Sequence, residues 1–127
     1  MEDPISGCCC GSLQPYATCC APLHQGGAAA TAEALMRSRY SAFVLGLAEY
    51  LLVTWHPSTQ PRQLVLDADV KWLGLTVKTQ QTTGRDTATV EFVARSRAGG
   101  APAQRLHEVS RFVREGGRWF YLDGDVL

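Results

Sequence analysis

The chain has 127 residues, with 12 Lys+Arg against 12 Asp+Glu and a hydrophobic fraction of 46%. That length suits one ordinary domain, able to bury roughly two thirds of its unfolded surface. Zero formal charge argues against a broadly basic nucleic-acid surface. The composition argues against disorder over the whole chain, and no apolar run approaches the ~18 residues of a membrane span. At the start, MEDPISG is acidic and lacks the apolar core of a secretory signal, so a cytoplasmic location is expected.

The cysteines come next. All five lie between Cys8 and Cys20, in the order C-C-C, eight residues, C-C. A cluster this tight cannot tie distant segments together as a disulfide framework does. Cys8, Cys10, Cys19 and Cys20 can instead supply four thiolates to one closed tetrahedral Zn²⁺ site, at about 2.3 Å per bond. Such a site has no open position for water, so its role is structural. Gly11 and Ser12 stand where the chain turns back, and backbone N–H groups there can offset the charge of the site. Tyr16 can pack over it. Cys9 points the other way and is the spare. His24 is a substitute ligand or a loop histidine. A reactive thiol cluster is the alternative reading of the same residues.

Ala21 to Ala30 reads as a Gly-, Ala- and Pro-rich connector. Thr31 then suits an N-cap, with Glu33 in the first turn. Leu35, Met36, Tyr40, Phe43, Val44 and Leu47 recur at helical spacing, which predicts an amphipathic helix over 32–45, ended or bent by Gly46. Leu47 to Trp55 suits a shorter helix, stopped by Pro57. Arg37 and Arg39 flank the apolar stripe, either as solvated charges or as guanidinium groups reaching a pocket or a buried acid.

The second half reads as strands. Val70 to Thr79 places Leu73, Leu75 and Val77 on one face. After a turn at 83–86, Thr87 to Arg95 places Ala88, Val90, Phe92 and Ala94 together. Arg105 to Arg114 and Arg118 to Leu122 follow, joined by Gly116-Gly117, a two-residue hairpin signal. The order is helices and then an antiparallel meander, hence an α+β fold with helices on one face of a curved sheet.

The third strand carries a conflict. Period two places Leu106, Glu108, Ser110 and Phe112 on one face, so a carboxylate enters the apolar side and needs a partner or a cavity. Arg37 or Arg39 is the natural partner. Trp119, Tyr121 and Asp123 form a similar mixed set on the last strand. The candidate pocket is therefore Arg37, Arg39, Tyr40, Trp55, Glu108, Ser110, Trp119 and Tyr121. A structural buried ion pair at Glu108 is the plainer reading of the same residues. No Gly-rich phosphate loop, G-x-S-x-G or H-E-x-x-H occurs, so no residue is assigned as catalytic. His56 precedes a proline at a helix end, and His107 points away from Glu108.

Two stretches carry a family resemblance. GCCCGSLQPYATCC resembles the SEC-C zinc motif found at the C-terminus of the SecA translocation ATPase. TAEALMRSRYSAF, EYLLVTWHP, VKWLGLTV, VEFVARS and HEVSRFVREGGRWFYLDGD resemble, in order, the blocks of the YchJ-like family of small bacterial proteins. The resemblance implies a SEC-C-type zinc knuckle over 1–24 and a cone-shaped nuclear transport factor 2-like α+β domain over 29–127. It implies one structural Zn²⁺ on Cys8, Cys10, Cys19 and Cys20. It also implies a non-catalytic adaptor whose knuckle contacts a protein or ribosome-associated partner, as the SecA knuckle does, and it permits a homodimer through the open sheet face. Two departures stand out: Cys9 replaces the usual proline, and the spacer 13–18 lacks the lysines of the SecA-type knuckle. The alternative function is a small-molecule binder or enzyme using the cone cavity around Glu108.

Overall fold

The computed structural model describes residues 7–127, so the first six residues of the expected 1–24 knuckle, and most of the acidic start, lie outside the described residues. A 3-10 turn at Tyr16–Thr18 leads into α1 (Ala21–His24), then α2 (Ala32–Leu45) and α3 (Ala48–Val53). Strands β1 (Val70–Gly84), β2 (Thr87–Ala98), β3 (Gln104–Glu115) and β4 (Arg118–Val126) form an antiparallel sheet in the order β1-β2-β3-β4. Each strand pairs with its sequence neighbour, as short hairpin connections dictate.

Local chemistry fixes the helix boundaries. Thr31 Oγ1 accepts from Ala34 N at 3.0 Å, which caps α2. The backbone N–H of Glu33, another orphan of the first turn, donates to Gln80 Oε1 of β1 at 2.8 Å. Gly46, at φ 76°, closes the C-terminus in the left-handed conformation that glycine adopts without steric cost. The expected helical stripe is only partly observed. Leu35, Met36 and Tyr40 are buried, but Val44 is exposed, and Ser38, Arg39, Ser41 and Ala42 take up the rest of the inner face.

The helix expected to run to Trp55 stops at Val53. Thr54 to His56 instead pair with β4: Tyr121 N donates to Thr54 O at 2.9 Å, and His56 N donates to Tyr121 O at 2.8 Å. Tertiary pairing thus takes over the last residues of the helical pattern, just ahead of Pro57.

Two bulges decide which side chains face α2. On β1, Trp72 pairs with Ser96 and Gly74 with Arg95, so Leu73 is the extra residue. Trp72, Leu75 and Val77 pack on the core, and Leu73 is 45% exposed. The expected Leu73–Leu75–Val77 face is corrected accordingly. On β4, Phe112 pairs with Tyr121 and Arg111 with Asp123, so Leu122 is extra. Asp123 leaves the face it was expected to share with Trp119 and Tyr121. It accepts instead from Arg111 Nε at 2.5 Å. Beyond the bulge, Gly124 pairs with Ser110. The β2 face stands as the alternation predicts, with Ala88, Val90, Phe92 and Ala94 all buried. At the β3–β4 turn, Gly116 and Gly117 have φ of 58° and 77°, the positive pair that a tight hairpin of this kind requires.

The core runs through the cysteine segment without a break. Cys8, Cys10 and Cys20 belong to the same buried cluster as Leu35, Met36, Tyr40, Val90, Phe92 and Phe112.

Candidate functional site

The sulfurs of Cys8, Cys10, Cys19 and Cys20 all lie within 4.8 Å of one another and can hold a metal ion. Cys10 Sγ is 3.6 Å from Cys19 Sγ, and Cys19 Sγ is 3.8 Å from Cys20 Sγ. A regular tetrahedron with metal–sulfur bonds of about 2.3 Å has edges of about 3.8 Å, so the donor set fits a four-coordinate metal. Cys8, Cys10 and Cys20 are buried, Cys19 is half-buried, and Cys9 is exposed. Two backbone bonds close the loop: Cys8 N donates to Gln14 O at 2.6 Å and Gly11 N to Cys8 O at 3.0 Å. Ser12 Oγ lies 3.0 Å from Cys19 Sγ and orients it from outside the cluster. Cys10 is held down to about 4, chiefly by its hydrogen bond with Cys20, and Cys20 is pushed up by the same bond.

His24 is not in the sulfur cluster. Its Nε2 lies 2.8 Å from Ser38 O, so that nitrogen carries the proton, and Nδ1 then accepts from Tyr16 Oη at 2.7 Å. His24 therefore clamps α1 and the 3-10 turn to α2, with its ring edge-on to Tyr50 at 4.7 Å. Tyr16, expected over the sulfurs, is turned to this clamp.

Arg37 makes a second clamp. Its Nη1 donates to Cys10 O at 2.7 Å, and its Nε pairs with Glu33 one helical turn earlier at 3.0 Å. Gly11, at φ 85°, lets the cysteine loop approach the sheet: a Cβ there would meet Leu75 O at 3.3 Å. Arg37 thus serves the cysteine loop. The expectation that it lines the pocket, or partners Glu108, is corrected.

Six of the eight expected pocket residues line one cavity of about 160 Å³ between α2 and the sheet: Arg39, Tyr40, Trp55, Glu108, Ser110 and Tyr121. Trp119 is not among its walls. It lies under the Arg114 guanidinium, 5.2 Å from the ring centroid, beside a separate open cleft. The reason is its pairing with Arg114, beyond Phe112, at the turn end of the hairpin.

Arg39 is 6% exposed. Its Nη1 donates to Leu51 O and to Thr54 Oγ1, both at 2.7 Å. Its guanidinium carbon stands 4.7 Å from the Tyr121 ring centroid and 5.3 Å from that of Trp55, so two aromatic faces hold the cation. Burial pulls its pKa down to about 10, against the opposing pull of Tyr121, Tyr50 and Glu108. Glu108 Oε2 accepts from Ser110 Oγ at 2.6 Å and from Tyr121 Oη at 3.4 Å. Burial, and then the Glu108 charge, push the Tyr121 phenol up to about 12. Arg39 and Glu108 form no ion pair with each other, so in place of the anticipated salt bridge each group is held by its own protein hydrogen bonds. The Glu108 carboxyl group rests on the backbone of Gly124, where a Cβ would meet Glu108 Cδ at 2.8 Å. Trp55 Nε1 is buried without a hydrogen-bond acceptor.

Sequence reasoning missed the His24 clamp, the Gly124 shelf and the buried Ser38 and Ser41. Gly124 had a usable signal, since an isolated glycine in a strand marks a close approach. His24 had none, because its partners are a carbonyl on α2 and a hydroxyl in the 3-10 turn.

A four-cysteine cluster able to hold a metal, packed against helices on a curved antiparallel sheet with a cavity between them, defines a small α+β protein of the SEC-C-plus-cone class. The chain matches the family described as YchJ, middle NTF2-like domain, over residues 31–124, and it belongs to that family. A UPF0225 protein of Bordetella pertussis is 55% identical over 131 residues, covering 98% of each chain. A second, from Xanthomonas oryzae, is 55% identical over 122 residues, covering 94% of this chain and 95% of the relative. The solution structure of a SEC-C motif containing protein from Rhodopseudomonas palustris superposes with a TM-score of 0.83 at 37% identity, covering 96% of this chain and 99% of that one. A protein of Exiguobacterium sibiricum, described as a Ca/calmodulin-dependent kinase II association domain, shares the fold alone, with a TM-score of 0.58 at 16% identity, over 79% of this chain and 95% of that one. No helix among the described residues is long and apolar enough to cross a membrane.

Proposed function

We propose that Cys8, Cys10, Cys19 and Cys20 hold one structural Zn²⁺ and that the metal loop is a protein-recognition module, making the chain a non-catalytic adaptor. Leu13 carries this reading. It sits in the metal loop at φ 70°, and its side chain is 88% exposed. A leucine in left-handed backbone costs roughly 1–2 kcal/mol, and nothing in the fold gains from its exposure. The loop's two ends hold it there, through the Cys8–Gln14 backbone bond and the turn from Gln14 N to Ser12 Oγ at 3.3 Å. An apolar side chain projected from a rigid loop suits a pocket on a protein partner.

The charge pattern favours protein over nucleic acid. No Lys or Arg precedes Arg37, so the loop offers no cation to a phosphate backbone. Zinc is favoured among metals by an all-thiolate, closed, tetrahedral donor set.

Native mass spectrometry of the full chain tests the metal: one zinc per chain is expected, lost on denaturation and absent from Cys19→Ser. A photo-crosslinking residue at position 13 tests the adaptor, with position 65 as control because Val65 is also highly exposed, at 81%. A discrete protein adduct from 13 but not 65, lost in Cys19→Ser, is expected. Equal labelling from both positions, or labelling indifferent to Cys19, would overturn the recognition role. A metal-free native chain would overturn the zinc.

A further inference from the structure

The cavity beneath α2 is distinct from the metal loop, and nothing in the adaptor reading uses it. Its walls are apolar: Met36, Phe43, Trp72, Phe92, Leu106 and Phe112. Its charged groups are two and of opposite sign, Arg39 from α2 and Glu108 from β3, beside the hydroxyls of Tyr40, Ser110 and Tyr121. We infer that this cavity binds a net-neutral, single-ring molecule that carries a hydrogen-bond acceptor for Arg39 and a donor for Glu108, such as an aryl or cyclic amide.

Size gives the single ring. A cavity of about 150 Å³ lined by aliphatic and aromatic side chains admits benzene, and this one measures about 160 Å³. Hydrogen-bonding capacity gives the donor and the acceptor. Both described bonds of Arg39 leave from Nη1. A guanidinium carries five N–H donors, so those of Nε and Nη2 remain. Both described bonds of Glu108 end on Oε2, which leaves Oε1 as an acceptor.

Charge gives neutrality. An anion drawn to Arg39 meets the Glu108 carboxylate, and a cation drawn to Glu108 meets Arg39. In a low-dielectric cavity either repulsion is strong. A neutral dipole laid between the two charges is attracted at both ends and loses little hydration on entry. Glu108 is also held in place before any ligand arrives, by Ser110 Oγ on one side and the Gly124 backbone below. That fixes the acceptor and lowers the entropy cost of binding.

The test is ¹H–¹⁵N NMR titration of the full, metal-loaded chain with benzamide, benzoate, benzylammonium and toluene. The readouts are the Trp55 and Trp72 indole N–H signals and the Ala94 amide. Benzamide is expected to bind at least ~10-fold more tightly than the other three, one well-made hydrogen bond to a charged group being worth about that ratio. Glu108→Gln removes the charge while keeping the shape. It should weaken benzamide by ~10-fold and raise benzoate affinity by a similar factor, a gain that unfolding cannot produce. Ala94→Leu fills the cavity without touching a polar group and should abolish all four titrations, with the sheet amide spectrum retained. Preference for benzoate or toluene in the unaltered chain, binding that survives Ala94→Leu, or no response from any probe would each overturn the inference. None of these outcomes bears on the metal loop.

Discussion

Gly124→Ala should change sign with the residue at 108. Gly124 has an ordinary negative-φ or extended backbone, so alanine fits its conformation. On conformational grounds alone the substitution stabilises by roughly 0.4–1 kcal/mol, because the unfolded chain loses freedom. Sterics oppose this. The new Cβ would stand 2.8 Å from Glu108 Cδ and 3.1 Å from Cγ, closer than carbon atoms pack. Ser110 Oγ and Tyr121 Oη restrain the carboxylate from moving aside. Overpacking of this kind costs about 1–3 kcal/mol. The net expectation is a loss of about 0.5–2 kcal/mol, or roughly 2–8 °C in melting temperature for a domain of this size. In a Glu108→Ala background the clashing atoms are gone, and Gly124→Ala should become neutral or stabilising. Urea and thermal unfolding of the four proteins of this cycle measure the coupling directly. An equal cost of Gly124→Ala in both backgrounds would show that the carboxylate does not rest on Gly124, and the β4 register after Leu122 would have to be redrawn.

Three further outcomes follow from the same geometry. The Tyr121 phenol is held up at about 12 against an ordinary 10. Its contribution to stability is therefore complete below pH 10 and is lost as the pH rises through 12. Tyrosinate absorbance should show a late step that Tyr121→Phe removes, and a Tyr121 step near pH 10 in the folded protein would contradict its burial. Leu73→Lys should change stability by less than about 0.5 kcal/mol, whereas Leu75→Lys should cost about 3 kcal/mol or more. Equal costs in chemical unfolding would mean that no bulge separates the two. Thr31→Ala removes the Ala34 N–H acceptor and should cost about 1 kcal/mol, and a loss near zero would show the cap to be idle.

Where one residue type settles the local answer, the sequence was legible. Thr31 and Gly46 bound α2 at Ala32 and Leu45, the residues that propensity and capping indicate. Gly116-Gly117 closes the last hairpin, and the β2 alternation points its small and aromatic residues inward. The cysteine cluster was legible for the same reason, since four thiols within 13 residues are kept close by chain connectivity. The bulges were not legible. A bulge satisfies an extra residue by bending the strand against its neighbour, and that neighbour is distant in sequence. Counting by two across Leu73 or Leu122 therefore puts residues on one face that the bulge sends to opposite faces: Leu73 replaces Trp72 beside Leu75, and Asp123 joins Tyr121. The errors over Leu73 and Asp123 have this single cause. Arg37 was misplaced for a different reason. Periodicity brings both Arg37 and Arg39 near the apolar stripe, but two positions along a helix is about 200° around it. One guanidinium therefore reaches the cavity and the other the Cys10 carbonyl.

That division of labour on α2 links the two ends of the molecule. Arg37 holds the cysteine loop, Ser38 Oγ meets Tyr50 Oη of α3 at 2.7 Å, Arg39 lines the cavity, and Tyr40 packs on Trp72, its ring centroid 5.8 Å away. Four consecutive residues of one helix thus address four different surroundings, which explains the mixture of charge, hydroxyl and aromatic character in a segment that must also be buried. Cys8, Cys10 and Cys20 occupy positions that an ordinary domain of this size fills with aliphatic side chains, and they join the same buried cluster as Leu35 and Met36. An ion held by the four sulfurs would tie them into one rigid unit at that end of the core. Loss of the ion would then loosen the packing under α2 as well as the loop itself.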